Sequence, residues 1–284
     1  MEYEMNNLYN EDCLEAMKKI PDKSIDMILC DLPYGTTACS WDEIIPLDKL
    51  WIQYHRIIKD DGAIVLFGSQ PFTSKLVMSN IENFKYEWIW EKQKASNFLT
   101  AKYQPLKYHE NILVFSKSTS YYEPQLYKVL EIDEIMMMDK KQLENVFIKK
   151  EYDRFGKIDK RINVNDCKVN KDVVGIKINR TRKKDNGLRY PKSVLKINKE
   201  VNSNIHPTQK PTELLEYLIK TYSKENELVL DNCMGSGSTA IACINTKRNF
   251  IGFELDKEYY DLACKRLEAR KNQMDIFNME GLEL

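Results

Sequence analysis

Residues 24–34, SIDMILCDLPY, end a short apolar run with an acid, a proline and an aromatic ring. A strand that runs into a turn does not need all of these residues in this order. The Asp31 carboxylate and the Leu32 backbone carbonyl are hydrogen-bond acceptors, Pro33 holds the turn open, and Tyr34 offers a flat face for stacking. Acceptors around both N–H bonds of a conjugated amine favour its rehybridisation, so this stretch is suited to making an amino nitrogen nucleophilic.

A second stretch, VLDNCMGSGSTA at residues 229–240, has the pattern of a strand, a glycine-rich turn and a helix start. Gly235 and Gly237 allow a ligand to approach the backbone closely, and the helix start offers free N–H groups. Glu254 closes the next strand, where an acid suits a ribose hydroxyl pair. The letters G-S-G-S-T-A also fit a dinucleotide fingerprint, so a nicotinamide-dependent oxidoreductase is one interpretation. Asp231 would repel a pyrophosphate and attract a cationic amine, which favours S-adenosylmethionine.

On these residues the sequence resembles the beta group of amino-directed DNA methyltransferases. Asp31-Leu32-Pro33-Tyr34 is similar to their D-P-P-Y motif, DNCMGSGST to their D-P-F-x-G-S-G-T loop, and HPTQKP (206–211) to a motif nearly diagnostic of them. The order, with the catalytic motif first and the cofactor loop last, is similar to the circular permutation of that group. The resemblance covers roughly residues 7–117 and 188–270. It implies a doubly wound, mostly parallel Rossmann-like sheet with an inserted DNA-recognition segment.

The resemblance also implies an activity: transfer of a methyl group from S-adenosylmethionine to the exocyclic amino group of adenine in a flipped-out base. Asp31, Leu32, Pro33 and Tyr34 would form the catalytic motif. Lys210 would bind the carboxylate of the cofactor, Glu254 its ribose and Asp12 its adenine. The full set of implied cofactor-binding residues is Asp12, Cys13, Lys210, Asp231, Gly235, Ser236, Gly237, Thr239 and Glu254.

The sequence departs from the family pattern in two places. Leu32 replaces the first proline of the catalytic motif, which restores a backbone N–H and is expected to loosen the turn. Asn232 and Cys233 replace the usual Pro-Phe of the glycine loop, so an aromatic contact is expected to be missing. Phe67 and Trp90 are candidates for apolar pocket walls in its place.

Charge is unevenly distributed along the chain. Residues 149–199 hold 17 Lys and Arg against 6 Asp and Glu, although the whole chain has 43 of each and no net charge. A basic segment on an acidic body is typical either of a polyanion-binding face or of a solvated lysine-rich surface. The resemblance places target recognition here, so double-stranded DNA is the expected partner. We expect phosphate contacts from Arg180, Arg182, Lys183 and Lys184 and base reading by Arg189.

The elements that position these residues follow from the apolar patterning. Runs at 24–31, 62–68, 86–92, 110–117, 226–233 and 249–256 predict strands, and the patterns at 48–59 and 238–247 predict helices between them. Continuous apolar strands that alternate with helices are typical of a doubly wound α/β fold. The pattern breaks down between about 118 and 203. We therefore predict a catalytic half at 1–117, a basic recognition insertion at 118–203 and a cofactor-binding half at 204–284.

Several classes of protein are disfavoured. No apolar stretch approaches the roughly 20 residues of a membrane span, and the acidic start lacks a secretory signal, so we expect a cytoplasmic protein. The seven cysteines include no C-x-x-C pair, which predicts neither a disulfide framework nor a metal site. An amino-cytosine methyltransferase stays an alternative, although its motif more often begins with Ser. The resemblance allows a homodimer and a companion restriction endonuclease, without a residue that demonstrates either.

Overall fold

The computed structural model describes residues 3–35, 43–96, 98–128, 188–198 and 209–280. The chain divides into two compact units, Met1–Gln125 together with Lys192–Leu284 and, separately, Leu126–Pro191. The three-part division into 1–117, 118–203 and 204–284 stays a prediction. In the described ranges, no helix has the length and apolar character needed to cross a membrane.

Ten strands and six helices lie within the described residues. The strands are β1 (Asn7–Tyr9), β2 (Ile25–Cys30), β3 (Ile58–Gly68), β4 (Phe84–Ser96), β5 (Lys107–Phe115), β6 (Tyr127–Lys128), β7 (Leu188–Arg189), β8 (Val194–Lys196), β9 (Leu228–Asp231) and β10 (Asn249–Phe253). The helices are α1 (Cys13–Lys18), α2 (Leu47–Ile57), α3 (Phe72–Met78), α4 (Thr212–Tyr222), α5 (Ser238–Asn245) and α6 (Lys257–Glu280).

Eight strands form one sheet in the order β1-β10-β9-β2-β3-β5-β4-β8. Strand β5 runs antiparallel to both of its neighbours, and every other neighbouring pair in this sheet is parallel. The second unit contains the antiparallel pair β6–β7. Parallel strands covered on both faces require continuous apolar runs, as β2 and β3 have. The predicted doubly wound, mostly parallel α/β fold is confirmed.

Two hydrophobic cores lie on opposite faces of the sheet. Side chains alternate along a strand, so Ile28 and Leu66 pack with α1, α2 and α3 on one face. Met27 and Val65 pack with α4, α5 and α6 on the other face. The chain therefore holds the sheet between two helical layers, which leaves the strand ends as the places where side chains can meet a ligand.

The elements that sequence patterning missed are mostly short or lack a flanking strand signal. Strands β1 and β8 have three residues each, too few to show a period. Helix α4 does have an apolar stripe at helical spacing, with Leu214, Leu215, Leu218 and Ile219 buried, and was predictable. Sequence patterning did not predict this helix, because the apolar period breaks down in the sequence before it, up to about residue 203.

The centre of the sheet brings the two sequence motifs together. Strands β2 and β9 are parallel neighbours, with Ile28 paired to Leu230. The chain leaves β9 towards β10 on one side and leaves β2 towards β3 on the other, which makes this a topological switch point. Asp231 is the last residue of β9, and Asp31 directly follows β2. Both acids therefore lie at the same edge of the sheet.

Candidate active site

A cavity of about 680 Å³ lies at the carboxyl ends of β2 and β9. This volume is within the range of small-molecule and cofactor sites. The sequence-predicted residues that line it are Asp12, Cys13, Asp31, Leu32, Pro33, Tyr34, Lys210, Asp231, Gly235, Ser236, Thr239 and Glu254. The structure thus gathers the catalytic motif and most of the predicted cofactor residues around one space.

Both carboxylate oxygens of Asp31 have partners inside the chain. Oδ1 accepts a hydrogen bond of 2.7 Å from the hydroxyl of Tyr34. Oδ2 forms an ion pair with the ammonium of Lys210. A carboxylate oxygen has about two acceptor positions, so each can accept one more donor. Asp31 keeps 27% of its side chain exposed and can therefore accept an N–H from a bound amine without losing either partner.

Lys210 joins Asp31 to a buried network of charges. Its ammonium lies 3.3 Å from Oε2 of Glu110 and 5.0 Å from the centre of the Phe67 ring. Glu110 also forms an ion pair with Lys92. Burial alone would raise the pKa of Glu110, but the two ammonium groups lower it to about 2. Burial would likewise lower the pKa of Lys210, but Asp31 and Glu110 raise it. Both groups are charged at neutral pH.

The predicted cofactor role of Lys210 stays a prediction. The structure places its ammonium against two carboxylates of the chain, Asp31 and Glu110, and leaves 7% of the side chain exposed. An ammonium has three donors, so a third acceptor from a ligand is compatible with this geometry.

Residues 31–34, the predicted catalytic motif and called the catalytic turn below, are anchored by packing on either side of Pro33. Leu32 is 3% exposed and belongs to the core that contains α1 to α3. The Tyr34 ring stacks on Phe72, with centroids 5.2 Å apart and an interplanar angle of 25°. Burial, followed by the charge of Asp31, raises the pKa of Tyr34, so its hydroxyl stays protonated and donates. Phe72 occupies one face of this ring, and stacking of a planar ligand on Tyr34 stays a prediction.

Asp231 is held by neutral donors. It is 3% exposed and accepts a hydrogen bond of 3.0 Å from the Cys233 N–H. Burial raises its pKa to about 6, although hydrogen bonds from the Thr239 hydroxyl and the Cys233 N–H oppose this rise. A cation placed beside a buried carboxylate favours its ionised form. The site fits a cationic group such as an ammonium and disfavours a phosphate, and the contact of Asp231 with a cofactor stays a prediction.

Gly235 gives the cavity an open stretch of backbone. Its φ is 53°, in the left-handed region that favours glycine, and a β-carbon there would meet no atom within 4 Å. Its N–H donates to Oε2 of Glu254 at 2.6 Å, and the N–H of Asp256 donates to Oε1 at 2.9 Å. Burial raises the pKa of Glu254. Glu254 therefore fixes the glycine loop while it lines the cavity.

Gly237 has a different structural role. It precedes α5 with a φ of 79°, and a β-carbon there would lie 3.0 Å from Cβ of Ala263 in α6. The hydroxyl of the buried Ser236 accepts a hydrogen bond of 2.9 Å from Arg266, also in α6. The structure explains Gly237 by close packing and does not place it in the cavity lining. Its direct contact with a cofactor stays a prediction.

Asp12 caps a helix at the rim of the cavity. Its Oδ1 accepts from the N–H groups of Leu14 and Glu15 at 2.9 and 3.0 Å. Strand β1, just before it, pairs with β10, so the N-terminal strand completes the β9-β10-β1 part of the sheet. This is the arrangement that the permuted motif order implies.

Sequence reasoning missed Glu110 and Tyr54. Glu110 lies near the start of the β5 apolar run, and an acid at that position was the available signal. The buried Tyr54 hydroxyl of α2 donates to Oδ1 of Asn232. Asn232 thus ties the glycine loop to α2 where the family motif has a proline.

Of the two aromatic residues proposed as pocket walls, Phe67 lines the cavity, and Trp90 is buried outside its lining.

Most of the predicted DNA-binding residues, Arg180, Arg182, Lys183 and Lys184, lie outside the described residues, as does His206. Arg189 is exposed in β7 of the second unit and donates to the carbonyl of Leu188 at 3.0 Å. The DNA-binding assignments stay predictions.

Known proteins match this chain in sequence and in fold. The sequence profile of the DNA methylase family matches residues 25–265. The type II methyltransferase M1.MboII of Moraxella bovis is 28% identical over 287 aligned residues, which cover 96% of this chain and 99% of that protein. The DNA adenine methyltransferase YhdJ of Escherichia coli (strain K12) is 26% identical, covering 94% of this chain and 84% of that protein.

Two solved structures share the fold. The M1.HpyAVI–SAM complex aligns with a TM-score of 0.55 and 24% identity, covering 92% of this chain and 98% of that chain. The PvuII DNA methyltransferase (cytosine-N4-specific) aligns with a TM-score of 0.58 and 13% identity, covering 94% and 91%.

The matched span includes the catalytic turn, the glycine loop and the whole of the eight-stranded sheet except β1. It leaves the nicotinamide oxidoreductase interpretation, which the glycine loop alone had allowed, without support. The chain belongs to the DNA methylase family, whose members use S-adenosylmethionine to methylate the N6 amino group of adenine or the N4 amino group of cytosine.

Proposed function

We propose that this protein transfers a methyl group from S-adenosylmethionine to N6 of adenine in double-stranded DNA, with the target base turned out of the duplex into the cavity. One observation carries the proposal. Asp31 and Asp231 end adjacent strands and line the same cavity, one paired with an ammonium of the chain and the other held by neutral donors. The first arrangement suits a neutral amine, and the second suits a cationic ligand.

The cofactor half of the cavity offers groups that fit S-adenosylmethionine. This cofactor would supply a methyl group on a positively charged sulfur, which keeps the electron pair of the broken C–S bond and leaves as a neutral thioether. In the proposed arrangement Asp231 binds its ammonium and Glu254 its ribose hydroxyls, while the open backbone of Gly235 allows close approach. Asp12 and Cys13, on the β1 side of the cavity, contact its adenine.

Asp31 acts on the target amine. One carboxylate oxygen accepts an N–H of the base, and the Leu32 carbonyl accepts the other, which draws the nitrogen lone pair out of conjugation. Lys210 orients Asp31 and keeps its carboxylate available as an acceptor. The nitrogen that gains the methyl group loses one proton, and Asp31 is the acceptor in contact with it before the proton reaches solvent.

Two observations favour adenine over cytosine. The catalytic motif begins with Asp31, whereas the amino-cytosine motif more often begins with Ser. YhdJ, which aligns with 94% of this chain, is a DNA adenine methyltransferase. N4 of cytosine is the alternative target, because the same acceptor pair suits any conjugated exocyclic amine.

Recognition of the DNA sequence is assigned to the basic segment. Residues 149–199 have 17 basic side chains, and neutralised phosphates supply most of the non-specific affinity for a duplex. We assign phosphate contacts to Arg180, Arg182, Lys183 and Lys184 and a base contact to Arg189.

The test is expression in a host without DNA methylation, followed by single-molecule sequencing of its chromosome. We expect N6-methyladenine at one short sequence, lost with Asp31→Ala and kept with Asp48→Ala, a control in the first turn of α2. N4-methylcytosine instead would reverse the base assignment while preserving the chemistry. If no modified base appears although the purified protein binds S-adenosylmethionine, the proposed substrate is wrong.

A further inference from the structure

The tip of the β4–β5 hairpin exposes large apolar side chains. In the described tip, residues 98–106, the exposed fractions are 68% for Phe98, 98% for Leu99 and 87% for Tyr103. Lys102 between them is also exposed. Soluble proteins expose single apolar residues freely, but three within six residues indicate a contact surface.

The backbone of this tip is folded on itself. Phe98–Thr100 form a turn of 3₁₀ helix, and the Thr100 carbonyl accepts from the N–H groups of Tyr103 and Gln104 at 2.9 and 3.1 Å. The Gln104 side chain also donates to the Thr100 hydroxyl at 2.8 Å. The apolar side chains are therefore presented on a formed turn.

The tip lies at the cavity edge of the sheet. Strand β5 runs antiparallel to β3, and Asn111 near its start pairs with Gly68 at the carboxyl end of β3. Lys107, the first residue of β5, contacts the Ser69 hydroxyl just beyond β3. Glu110 of the same strand lines the cavity. An extended strand rises about 3.3 Å per residue, so the tip projects on the order of 10–20 Å beyond Glu110.

The distance that the tip projects places it where the duplex must lie when its target base is flipped into the cavity. A base that enters the cavity remains attached to its backbone, so the duplex it leaves must lie just outside the cavity mouth. Proteins that open or kink DNA insert Leu or Phe side chains between bases and replace lost stacking with apolar contact. The exposed Lys102 adds a cation that suits a phosphate.

A protein partner fits this surface less well. Two aromatic side chains and a leucine bury roughly 500 Å² when covered. A stable protein interface buries about 800 Å² on each partner. The projecting shape, the small area and the cation therefore favour a nucleic-acid duplex over a second copy of this chain.

We propose that the β4–β5 tip is a wedge that enters the DNA stack where the target base has left, with Leu99 at its point, Phe98 and Tyr103 beside it, and Lys102 on a phosphate. The wedge rests on the proposed function and adds a residue set that holds the duplex open. It acts outside the reacting atoms: it lowers the free-energy cost of extruding the base and leaves the chemistry to Asp31.

The experiment measures methylation by the full-length wild type and by full-length Leu99→Ser on two oligonucleotide duplexes. Both duplexes carry the recognition sequence identified by sequencing the methylated chromosome. In one duplex the target base is paired, and in the other an abasic site lies opposite the target. We expect Leu99→Ser to lower kcat/KM at least tenfold on the paired duplex and to lie within about threefold of wild type on the abasic duplex. Met78→Ser is the control, since Met78 is 71% exposed at the far end of α3, and it should match wild type on both.

The outcomes separate the wedge from the proposed function. If wild type methylates the paired duplex and Leu99→Ser does so equally well, the wedge is wrong and the function stands. An equal loss on both duplexes also overturns the wedge, because the tip would then act on something other than base extrusion. If wild type sediments as a dimer that Leu99→Ser dissociates, the tip is an interface between copies. If wild type methylates neither duplex, the function itself fails and the wedge fails with it.

Discussion

The ends of β2 and β9 lie side by side, and each carries an acid, but the two acids differ in what balances them. Asp31 at β2 is paired with Lys210, which is itself paired with Glu110. Asp231 at β9 is buried with hydrogen bonds from neutral donors, and its pKa is raised to about 6. The charge at β2 is balanced within the chain, whereas the charge at β9 is best balanced by a ligand.

This difference separates reaction from binding. A preformed acceptor such as Asp31 stabilises charge that develops during a reaction, and its geometry does not depend on the ligand. A buried carboxylate without a cationic partner is stabilised most when a cationic ligand binds. Its charge therefore contributes mainly to the affinity for that ligand. A substitution of Asp31 should therefore change the reaction rate, and a substitution of Asp231 should change the affinity for the cofactor.

Asp31→Asn should have the largest effect. It keeps the size of the side chain but removes the charge that stabilises the reacting amine, so we expect kcat to fall by about 10²–10³-fold. The Kd for S-adenosylmethionine should stay within about threefold of wild type. Single-turnover methylation and calorimetric titration measure the two quantities. A loss of cofactor affinity as large as the loss of rate would remove the distinction between the strand ends.

Asp231→Asn should reverse this pattern. A hydrogen bond to a charged group contributes about 1.5–3 kcal/mol, so the Kd for S-adenosylmethionine should rise roughly 10–100-fold. The same substitution relieves the burial of a carboxylate, so thermal unfolding of the cofactor-free protein should not occur at a lower temperature. Equal cofactor affinity in the variant and wild type would show that Asp231 does not bind the ammonium.

The pH dependence of S-adenosylmethionine binding should test whether ionised Asp231 binds the cofactor ammonium. The cofactor ammonium binds ionised Asp231, and the pKa of that carboxyl is about 6 in the ligand-free protein. Affinity should therefore be greatest near pH 7, where both the Asp231 carboxylate and the ligand ammonium are charged, and fall as the pH drops through 6, by nearly tenfold per unit at the acid end. Titration calorimetry at pH 5, 6 and 7.5 measures it. In Asp231→Asn the dependence should be absent, and a wild-type profile that stays flat to pH 5 would assign the ammonium to another group.

The sequence predicted the strand ends and much less of what surrounds them. The apolar runs at β2, β3, β9 and β10 are long enough to predict buried strands. An acid at the end of such a run can also be located in the sequence. The ion pair of Lys210 with Asp31 joins residues 179 positions apart, and no local pattern encodes it. The Tyr54 contact with Asn232 spans a similar distance. The order of the strands in the sheet sets these contacts, and local apolar patterns predict strands without predicting their order.

The acid of Glu110 is visible in the sequence, but its partners Lys92 and Lys210 are not, and Glu110→Gln should have the smallest effect on the reaction. Lys210 would keep Asp31 as a partner but lose the second carboxylate that orients it, so we expect kcat to fall about fivefold with little change in the Kd for S-adenosylmethionine. Glu87→Gln is the control, since Glu87 accepts a hydrogen bond from Asn111 on β5 and does not line the cavity. A wild-type kcat in Glu110→Gln would remove Glu110 from the support of Asp31.

Unfolding at different pH values tests the same residue independently of activity. The pKa of Glu110 is about 2 in the folded protein and ordinarily 4.5, so its ion pairs stabilise the fold above pH 4.5, and this contribution is lost as the pH falls towards 2. The free energy of unfolding of Glu110→Gln should be lower than that of wild type by about 3 kcal/mol at pH 7, and the difference should shrink in acid. A difference that stays constant from pH 7 to pH 3 would mean that the substitution acts through packing. The ion pairs of Glu110 would then not stabilise the fold, and the orientation of Asp31 would depend on Lys210 alone.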